Sequence, residues 1–469
     1  CQHGDGGWGW WKDDQSDHYM TAYVVWGLAL ARQAGVDVRD QALSNGVAFL
    51  EREIVEAERV VDLQAWMLHA LATTRAARDQ GPGDAERAAF DNLYTNRDRL
   101  NAYTRAMLAL AAHHYRFAEQ AQVLVRNLEN GAKIDRAPNV SRVAPGAGGP
   151  ARAETMATAH WGEERGWWRW SDGAIEATSF TLRAFMAIDP KHRLVEPSMN
   201  WLVKNRRGAQ WSNTRDTAFA VLSLAEYLKA SGELGSDLAY EVTVNGAPVA
   251  TRTVTRADAI AVPSRITVDP SLVRSGPNEV RIVRKGGTAP IYFSAEARFF
   301  STEEPVTPAG NELFVRRQYF KLVARPTLQK GYVYDRVPLG DNETIKSGER
   351  VEVILTVEAK NDYEYLVFED LKPAGFEAIE IRSGESLYAR ELRADGNGYT
   401  DRSQWVYREL RDRKVVCFVS RLPQGVWEIR YDLRAEAPGS FHGLPVVGHA
   451  MYVPEIRANG AETRVRVVE

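Results

Sequence analysis

The amino-acid sequence predicts a multidomain α and β protein in which an α/α toroid is followed by an all-β module and an antiparallel β-sandwich. First, its 469 residues correspond to about three domains at roughly 150 residues each. Second, eleven of the 13 tryptophans lie at or before Trp211. Third, the hydrophobic spacing changes near Gly232 from a helical period to the alternation of strands. We therefore place the domains at residues 1–232, 233–308 and 309–469.

The composition excludes several classes of protein. Hydrophobic residues make up 44% and charged residues 26% of the chain, as in ordinary globular domains. The formal net charge of -3 creates no basic field for a phosphate backbone, so we expect no nucleic-acid partner. No apolar run of about 18 residues occurs, so we expect no membrane contact from this chain. The chain begins inside a motif and without an initiator Met, and we expect it to be part of a longer protein.

The helical part contains an internal repeat. A polar residue, a small residue and an aromatic residue open five predicted inner helices, at residues 21–23, 64–66, 101–103, 178–180 and 217–219. The steps between these signatures are 43, 37, 77 and 39 residues, and a period near 40 is typical of one helical hairpin per repeat. We interpret residues 41–53 and 86–96 as outer helices. The double step contains residues 131–155, which are rich in proline and glycine and are expected to form a long mobile loop.

Turns rich in glycine and tryptophan precede three of the inner helices, at residues 6–11, 166–170 and 208–211. Glycine allows the chain to turn, and flat indole rings can cover the N-terminus of the next helix, with the threonine hydroxyl near its N-cap. Two interpretations remain open. The rings either staple neighbouring hairpins together or line the mouth of a ligand-binding site.

The rest of the chain alternates with a period of two. Residues 240–244 lead into Asn245-Gly246, a strong signal for a two-residue hairpin turn. A Pro-, Gly- and Thr-rich linker at residues 301–310 separates a short β-module from the last domain. In that domain, two strands are predicted to bury alternating apolar residues: Val351, Val353, Leu355 and Val357 on one, and Val415, Cys417 and Val419 on the other.

The two cysteines, Cys1 and Cys417, are too few for a disulfide framework or a four-ligand zinc site. An internal thioester needs a glutamine three residues after the cysteine. Gly4 and Ser420 occupy those positions, so this chain contains no thioester. Cys417 alternates with valines and is predicted to be a buried, inert thiol.

Acidic residues offer the strongest case for an enzyme. A toroid that cleaves polysaccharide needs only two carboxylates across a tryptophan-lined cleft. The candidates are Asp13, Asp14, Asp17, Glu163, Glu164, Asp172, Glu176 and Asp216. The sequence does not pair them, and acidic residues near helix starts are expected in any case because they stabilise the helix dipole. A terpenoid cyclase would need an Asp-rich motif, which residues 11–14 leave incomplete, and a zinc prenyltransferase would need a central cysteine.

Histidines and basic runs indicate no further site. The histidines of the helical part show no metal-ligand spacing: His3, His18, His69, His113, His114 and His160. Arg316-Arg317 and residues 411–414 are interpreted as solvated charge. We therefore predict no catalytic, metal-binding or cofactor-binding residue and no cofactor.

Several segments resemble bacterial alpha-2-macroglobulins. Residues 2–11, 20–28 and 213–218 resemble the thioester domain of that family. Residues 314–319, 369–376 and 450–456 resemble its carboxy-terminal macroglobulin domain. Residues 236–300 would then correspond to the second half of the CUB-like domain. The resemblance covers nearly the whole chain in the family's domain order.

This resemblance implies the C-terminal part of a protease inhibitor and not an enzyme. In the family, a protease cuts a bait segment and the molecule collapses around it, in many members with covalent capture by a thioester. Residues 51–62 match a stretch that carries a helper histidine in some members but contain none, so no catalytic residue is carried over. The implied partners are proteases and a peptidoglycan transglycosylase. The implied location is the periplasm, with a parent protein that is lipid-anchored, or the extracellular space, and we expect a monomer.

Overall fold

A computed structural model describes residues 1–138, 140–144, 156–162, 173–206, 210–232, 238–255, 258, 264–287, 291, 293, 295, 297, 306–329, 331–379 and 386–469. The chain divides into two compact units. One unit contains residues 1–132, 160–199 and 215–300, and the other contains residues 133–159, 200–214 and 301–469. The three-domain division at residues 232 and 308 remains a prediction.

The helical part alternates inner and outer helices. The inner helices are α1 (His18–Gln33), α3 (Val61–Ala76), α5 (Ala102–His114), α7 (Ala174–Ile188) and α9 (Thr214–Ser231). The others are α2 (Asp40–Glu53), α4 (Asp84–Thr95), α6 (Ala118–Asn130) and α8 (Val195–Lys204). Each predicted signature lies at the start of an inner helix, which confirms the repeat. Within the described residues, none of these helices combines the length and apolar content needed to span a bilayer.

The inner helices pack against one another, and these five helices are called the ring below. Neighbouring helices contact one another in the order α1, α3, α5 and α7. Helix α9 closes the circle, because the ring of Phe219 lies 5.0 Å from that of Phe180 on α7 and 6.3 Å from that of Tyr23 on α1. Almost all of α3 and α5 is buried, whereas α2, α4 and α6 bury one face only. This difference is the expected one between helices inside a ring and helices around it.

The chain between α6 and α7 is not helical in its described residues. Strands β1 (Lys133–Asp135) and β2 (Thr158–His160) pair with each other. Residues 139 and 145–155 of the expected mobile loop lie outside the described residues. For residues 140–144 the expectation of mobility is wrong, because they are bound to the β-sandwich as described below.

The short β-module is a three-stranded antiparallel sheet of β3 (Leu238–Val244), β4 (Ala247–Val254) and β5 (Val280–Gly286), with β3 in the middle. The predicted hairpin turn is confirmed. Asn245 has φ +52° and Gly246 has φ +85°, as the left-handed residues of a two-residue turn require.

The last part of the chain contains one curled sheet and a smaller one. The curled sheet runs in the order β6, β19, β18, β11, β15, β14, β13, β16, β10, β7, β8, and β12 adds to β16. Its strands are β6 (Ala309–Gly310), β7 (Leu313–Thr327), β8 (Gly331–Leu339), β10 (Arg350–Ala359), β11 (Tyr363–Leu371), β12 (Phe376–Ala378), β13 (Ser386–Leu392), β14 (Tyr399–Leu410), β15 (Lys414–Leu422), β16 (Gly425–Ala435), β18 (Val447–Ala450) and β19 (Val453–Asn459). Because the sheet curls, its two arms face each other like the layers of a sandwich.

The smaller sheet contains β9 (Glu343–Lys346), β17 (Gly439–Gly443) and β20 (Thr463–Val468). Strands β20 and β9 pair in parallel, whereas the sequence predicted a sandwich with antiparallel strands only. The predicted alternation is confirmed, since Val351, Val353, Leu355 and Val357 are all buried in one core with Cys417. The fold class, helices followed by a β-module and a sandwich-like domain, is thus confirmed.

Candidate functional site

The turn before α1 is held by hydrogen bonds to the helix itself. Gly6 adopts φ +91°, and a side chain there would meet the carbonyl of Asn45. The Trp8 backbone N–H donates to Thr21 Oγ1 at 2.9 Å. The Trp8 ring lies against Gly46 of α2, where a Cβ would come within 2.6 Å of it. Trp8 therefore staples the first hairpin, as one of the two interpretations predicted.

The same arrangement occurs at another inner helix. The backbone N–H of Trp161 donates to Thr178 Oγ1 at 3.1 Å, and its indole N–H donates to the Leu128 carbonyl at 2.6 Å. Threonine thus anchors the preceding turn and does not cap the helix. The N-cap of α1 is Asp17, whose carboxylate accepts from the Met20 N–H at 2.7 Å. Residues 163–172 of the second tryptophan-rich turn lie outside the described residues.

A polar groove of about 530 Å³ opens beside the first turn. Asp5 Oδ1 accepts from Ser16 Oγ at 2.8 Å, and Ser16 Oγ lies 3.0 Å from His3 Nδ1. The other nitrogen of His3 lies 4.0 Å from Asp14 Oδ1. The pKa of Asp5 is lowered, chiefly by the hydrogen bond from the Gly7 N–H. Among the described residues, no three His, Cys, Asp or Glu side chains are arranged to hold a metal ion.

A buried ion pair joins the N-terminal ends of three inner helices. Arg215 of α9 pairs with Glu176 of α7, which is 1% exposed, and donates to the Tyr19 hydroxyl of α1 at 3.0 Å. Burial raises the pKa of Tyr19 to about 12, although Arg215 opposes the shift. Burial is the largest single influence on the pKa of Arg215 and would lower it, but Glu176, Tyr19 and Tyr103 together outweigh burial, and the net shift is upward. Arg215 therefore connects α9 to α7 through the ion pair and to α1 through the hydrogen bond.

A second polar contact links α3 to α5 at the same end of the ring. Asp62 accepts from Thr104 Oγ1 and, at 3.2 Å, from Asn101 Nδ2, while Asn101 also caps α5. Sequence analysis missed these contacts although a signal was present. Tyr19, Asp62, Glu176 and Arg215 all lie two residues before a repeat signature.

Aromatic side chains fill the centre of the ring. Trp26, Trp66, Phe180 and Phe219 are all at most 3% exposed, and their ring centroids lie 5.0 to 6.2 Å apart. His69 packs 5.6 Å from Phe180, and neither of its ring nitrogens has a hydrogen-bond partner. Burial lowers the pKa of His69 well below its usual value and that of His114 to about 4. The described ring centre is a packed core rather than a trench.

The predicted acidic candidates are not brought together as a catalytic pair. Asp17 caps α1, Asp14 accepts from the Trp11 N–H, and Glu176 belongs to the Arg215 cluster. Asp13 is exposed, and Asp216 is buried in the first turn of α9. Glu163, Glu164 and Asp172 lie outside the described residues.

The β-sandwich contains a buried ion pair that corrects one prediction. Arg316 is exposed, but Arg317 is not part of a solvated charge run. Its guanidinium donates to Asp370 at 2.5 Å and to the Gly443 carbonyl at 2.6 Å, and Asp370 also accepts from Tyr431. Neighbouring residues on a strand point to opposite faces, and here Arg317 points into the core while Arg316 points away from it. Burial raises the pKa of the neighbouring Cys417 to about 12, as expected of an inert thiol.

A carboxylate on β10 binds the segment between α6 and α7. Glu358 Oε2 accepts from the Arg142 N–H at 2.7 Å, from Ser141 Oγ at 3.0 Å and from the Val143 N–H at 3.3 Å. Val143 packs with Phe314 in a small cluster. Burial would raise the pKa of Glu358, but Lys360 and these donors lower it. Residues 140–144 with Glu358 are called the Glu358 clasp below.

The ring of helical hairpins, the small sheet and the curled sandwich define a multidomain scaffold. The model of the bacterial alpha-2-macroglobulin MG10 domain matches residues 313–455. An alpha-2-macroglobulin homolog of Nostoc sp. is 21% identical over 97% of this chain, which spans 22% of that protein. An alpha-2-macroglobulin of Xylella fastidiosa is 28% identical over 40% of this chain and 11% of its own length.

Trypsin-activated alpha-2-macroglobulin of Escherichia coli is a similar solved structure. It is 15% identical and covers 100% of this chain and 29% of its own, with a TM-score of 0.41, which is too low to support an argument about geometry. The resemblance that the motifs predicted is confirmed: residues 313–455 match the bacterial alpha-2-macroglobulin MG10 domain, and nearly the whole chain is similar to a bacterial alpha-2-macroglobulin homolog.

Proposed function

We propose that this chain is the C-terminal part of a protease inhibitor that traps proteases after cleavage of a bait segment elsewhere in its parent protein. The packed aromatic centre of the ring carries the proposal, because side chains that fill the centre leave no room there for a substrate and suit a scaffold. The family relationship supports it, and the Escherichia coli relative is described as trypsin-activated. The chain itself is then no enzyme, and its contribution to trapping is structural.

The test uses the parent protein that contains this chain, incubated with trypsin or pancreatic elastase. We expect digestion of casein to fall while hydrolysis of a small chromogenic peptide persists, because a trapped protease still admits small substrates. A band that survives denaturing electrophoresis would identify covalent capture by a thioester in the parent. The 469-residue chain alone is the control and should not inhibit. Full casein digestion with the intact parent would contradict the proposal.

We further propose that the parent acts in the periplasm as a monomer, beside a peptidoglycan transglycosylase. Fractionation against periplasmic and cytoplasmic marker enzymes tests the location. Sedimentation velocity tests the monomer, and co-purification of a tagged transglycosylase tests that partner. Recovery of the parent with the cytoplasmic marker would contradict this placement.

The polysaccharide-cleaving alternative predicts two opposed carboxylates in a cleft. Three of its five described candidates are instead a helix cap, a turn acceptor and an ion-pair member, while Asp13 is exposed and Asp216 is buried in the first turn of α9, so no observation favours it. A reducing-sugar assay with uronic acid polymers tests it, and release of reducing ends would revive it. The terpenoid-cyclase alternative needs a sealed apolar cavity, and aromatic packing occupies the described ring centre.

A further inference from the structure

Two cross-strand pairs lie side by side on the outer face of β13 and β14. Tyr388 is directly opposite Trp405, and Arg390 is directly opposite Ser403. The intervening Ala389 is fully buried, so Tyr388 and Arg390 point away from the core. The Tyr388 side chain is 59% exposed and that of Trp405 is 46% exposed.

The aromatic surface continues across the sheet. The Tyr407 ring lies 6.1 Å from that of Trp405 and 6.0 Å from that of Phe418 on β15. We call these four residues, Tyr388, Trp405, Tyr407 and Phe418, the aromatic face. An exposed row of rings on the outer face of a sheet is unusual for a surface with no ligand. Its exposed end consists of Tyr388 and Trp405.

Arg390 places a positive charge beside this exposed end. Its guanidinium lies 3.9 Å from the centroid of the Tyr399 ring, which holds it in a fixed orientation. Glu428 is opposite Arg390 on β16, but its Oε2 accepts from the Tyr399 hydroxyl at 2.5 Å and pairs with Arg430 at 2.7 Å. Within the described part of the chain, Arg390 forms no ion pair of its own. An exposed and oriented guanidinium without a carboxylate partner suits an anionic ligand.

We propose that this face binds an acidic polysaccharide. The apolar C–H faces of successive sugar rings stack on Trp405 and Tyr388, a uronate carboxylate pairs with Arg390, and Ser403 bonds a ring hydroxyl. Cross-strand neighbours two residues apart are separated by roughly 7 Å, a distance that a sugar ring and its carboxylate can span. A single-stranded nucleic acid would also stack on the two rings, and oligothymidylate in the titration below distinguishes it from the sugar.

The experiment is calorimetric titration of the 469-residue chain with oligomers of polygalacturonate, with the same oligomers after methyl esterification, and with oligothymidylate. We expect binding of both sugars, the acidic one more tightly. Trp405→Ala and Tyr388→Ala should each weaken both by about tenfold or more, since each removes a stacking platform. Arg390→Gln should weaken only the acidic oligomer, by about tenfold, because the ester has no charge to pair. Circular dichroism checks that each variant folds.

Tyr332→Ala is the matched control, because Tyr332 is 70% exposed on β8 and lies outside the aromatic face. It should leave both affinities unchanged. The proposal is overturned if the acidic oligomer does not bind, if binding survives Trp405→Ala and Tyr388→Ala, or if oligothymidylate binds more tightly. Binding without cleavage is expected. Casein protection by the parent is a separate readout from sugar binding by this chain. A failed titration would therefore leave the inhibitor proposal standing, and a failed casein assay would leave the polysaccharide proposal standing.

Discussion

At the scale of single residues, Arg317 shows how burial converts an ordinary surface residue into a structural one. Its guanidinium is fully buried and pairs with Asp370, which is 1% exposed. Two backbone carbonyls, those of Gly443 and Leu444, also accept from its two terminal nitrogens, at 2.6 and 2.8 Å. Such a pair is costly to break, because removal of one partner leaves the other charged and desolvated.

We expect Arg317→Met to destabilise the sandwich by about 3–5 kcal/mol, because it leaves Asp370 buried without its cation. Urea unfolding followed by β-sheet circular dichroism measures the change. Arg316→Met is the control, since this neighbouring arginine is exposed and its loss should cost no more than about 0.5 kcal/mol. Equal effects from the two variants would show that the buried pair contributes nothing specific.

In the helical ring, His69 is likewise an ionisable residue whose properties are set by burial. Its pKa is lowered first by burial and then by the nearby charges of Arg183 and His114. In the unfolded chain the same imidazole titrates near 6.5. As the pH falls below that value, the unfolded state binds a proton at this imidazole and the folded state does not. The free energy of unfolding therefore falls toward acid pH.

His69→Leu should therefore flatten the acid side of the stability profile. Below pH 6.5, the free energy of unfolding should fall less steeply in the variant, by up to about 1.4 kcal/mol per pH unit. Urea midpoints followed by helical circular dichroism between pH 7 and pH 4.5 give the slope. His18→Leu, at a partly exposed position on α1, is the control. Parallel profiles for wild type and His69→Leu would refute the burial argument.

At the scale of elements, α9 holds the ring closed with one aromatic residue and one ion pair. Phe219 touches the rings of Tyr23, Trp26, Trp66 and Phe180 on three other inner helices. Arg215 at its first turn joins Glu176. The aromatic contacts provide buried area, and the ion pair fixes which helices become neighbours.

Phe219→Ala should cost about 3–5 kcal/mol and open α9 before the rest of the ring, because it leaves a cavity among four aromatic rings. Hydrogen exchange of residues 214–231 should rise more than that of α3. Val221→Ala on the same helix is the control, because Val221 is 50% exposed. A uniform rise in exchange across the ring would contradict local opening.

The Glu358 clasp is an element held by one carboxylate. Glu358 holds residues 140–144, which lie inside the segment 131–155 that its prolines and glycines predicted to be a loop. The backbone N–H groups of Arg142 and Val143 both point to it. The clasp therefore shields a peptide bond that trypsin would otherwise cut after Arg142.

Glu358→Ala should accelerate tryptic cleavage after Arg142 by about 10- to 100-fold, because charge-assisted hydrogen bonds contribute about 1.5–3 kcal/mol. Mass spectrometry of timed digests measures the appearance of the new terminus at Val143. Glu352→Ala is the control, because Glu352 lies on the same strand as Glu358 but pairs with Arg336 on β8 instead of residues 140–144. Cleavage at the wild-type rate in Glu358→Ala would show that other contacts hold the segment.

At the scale of the whole molecule, the chain forms two compact units that do not follow its linear order. Segments 133–159 and 200–214 leave the helical part of the sequence and group with the sandwich. Lys204 at the end of α8 pairs with Glu312 at 2.9 Å, and the indole of Trp211 donates to the Leu202 carbonyl at 2.9 Å. These contacts explain why the compact units cross the boundaries predicted from composition.

We expect two unfolding transitions, one for each compact unit. Phe219→Ala should shift only the transition seen by helical circular dichroism, and Arg317→Met only that of the β-sheet. The double variant should show the sum of the single effects, because residues without shared partners act additively. Differential scanning calorimetry tests this, and a single transition shifted by both variants would contradict it.

The sequence alone determined the repeat, the order of helical and strand segments, the strand faces and the resemblance to bacterial alpha-2-macroglobulins. These features depend on motifs and on the spacing of hydrophobic residues, and both can be read directly from the order of residues along the chain. The signatures at residues 21–23 and 217–219 marked inner helices correctly, and Asn245-Gly246 marked its turn.

Only the tertiary structure decided which charges are buried and what they bind. Glu176 and Arg215 are 39 positions apart, Arg317 and Asp370 are 53 apart, and Arg142 and Glu358 are 216 apart. No local rule connects residues at such separations, because the desolvation that makes them bind one another exists only after the chain has packed. The same holds for Arg390, whose orientation depends on a tyrosine that only strand pairing brings beneath it.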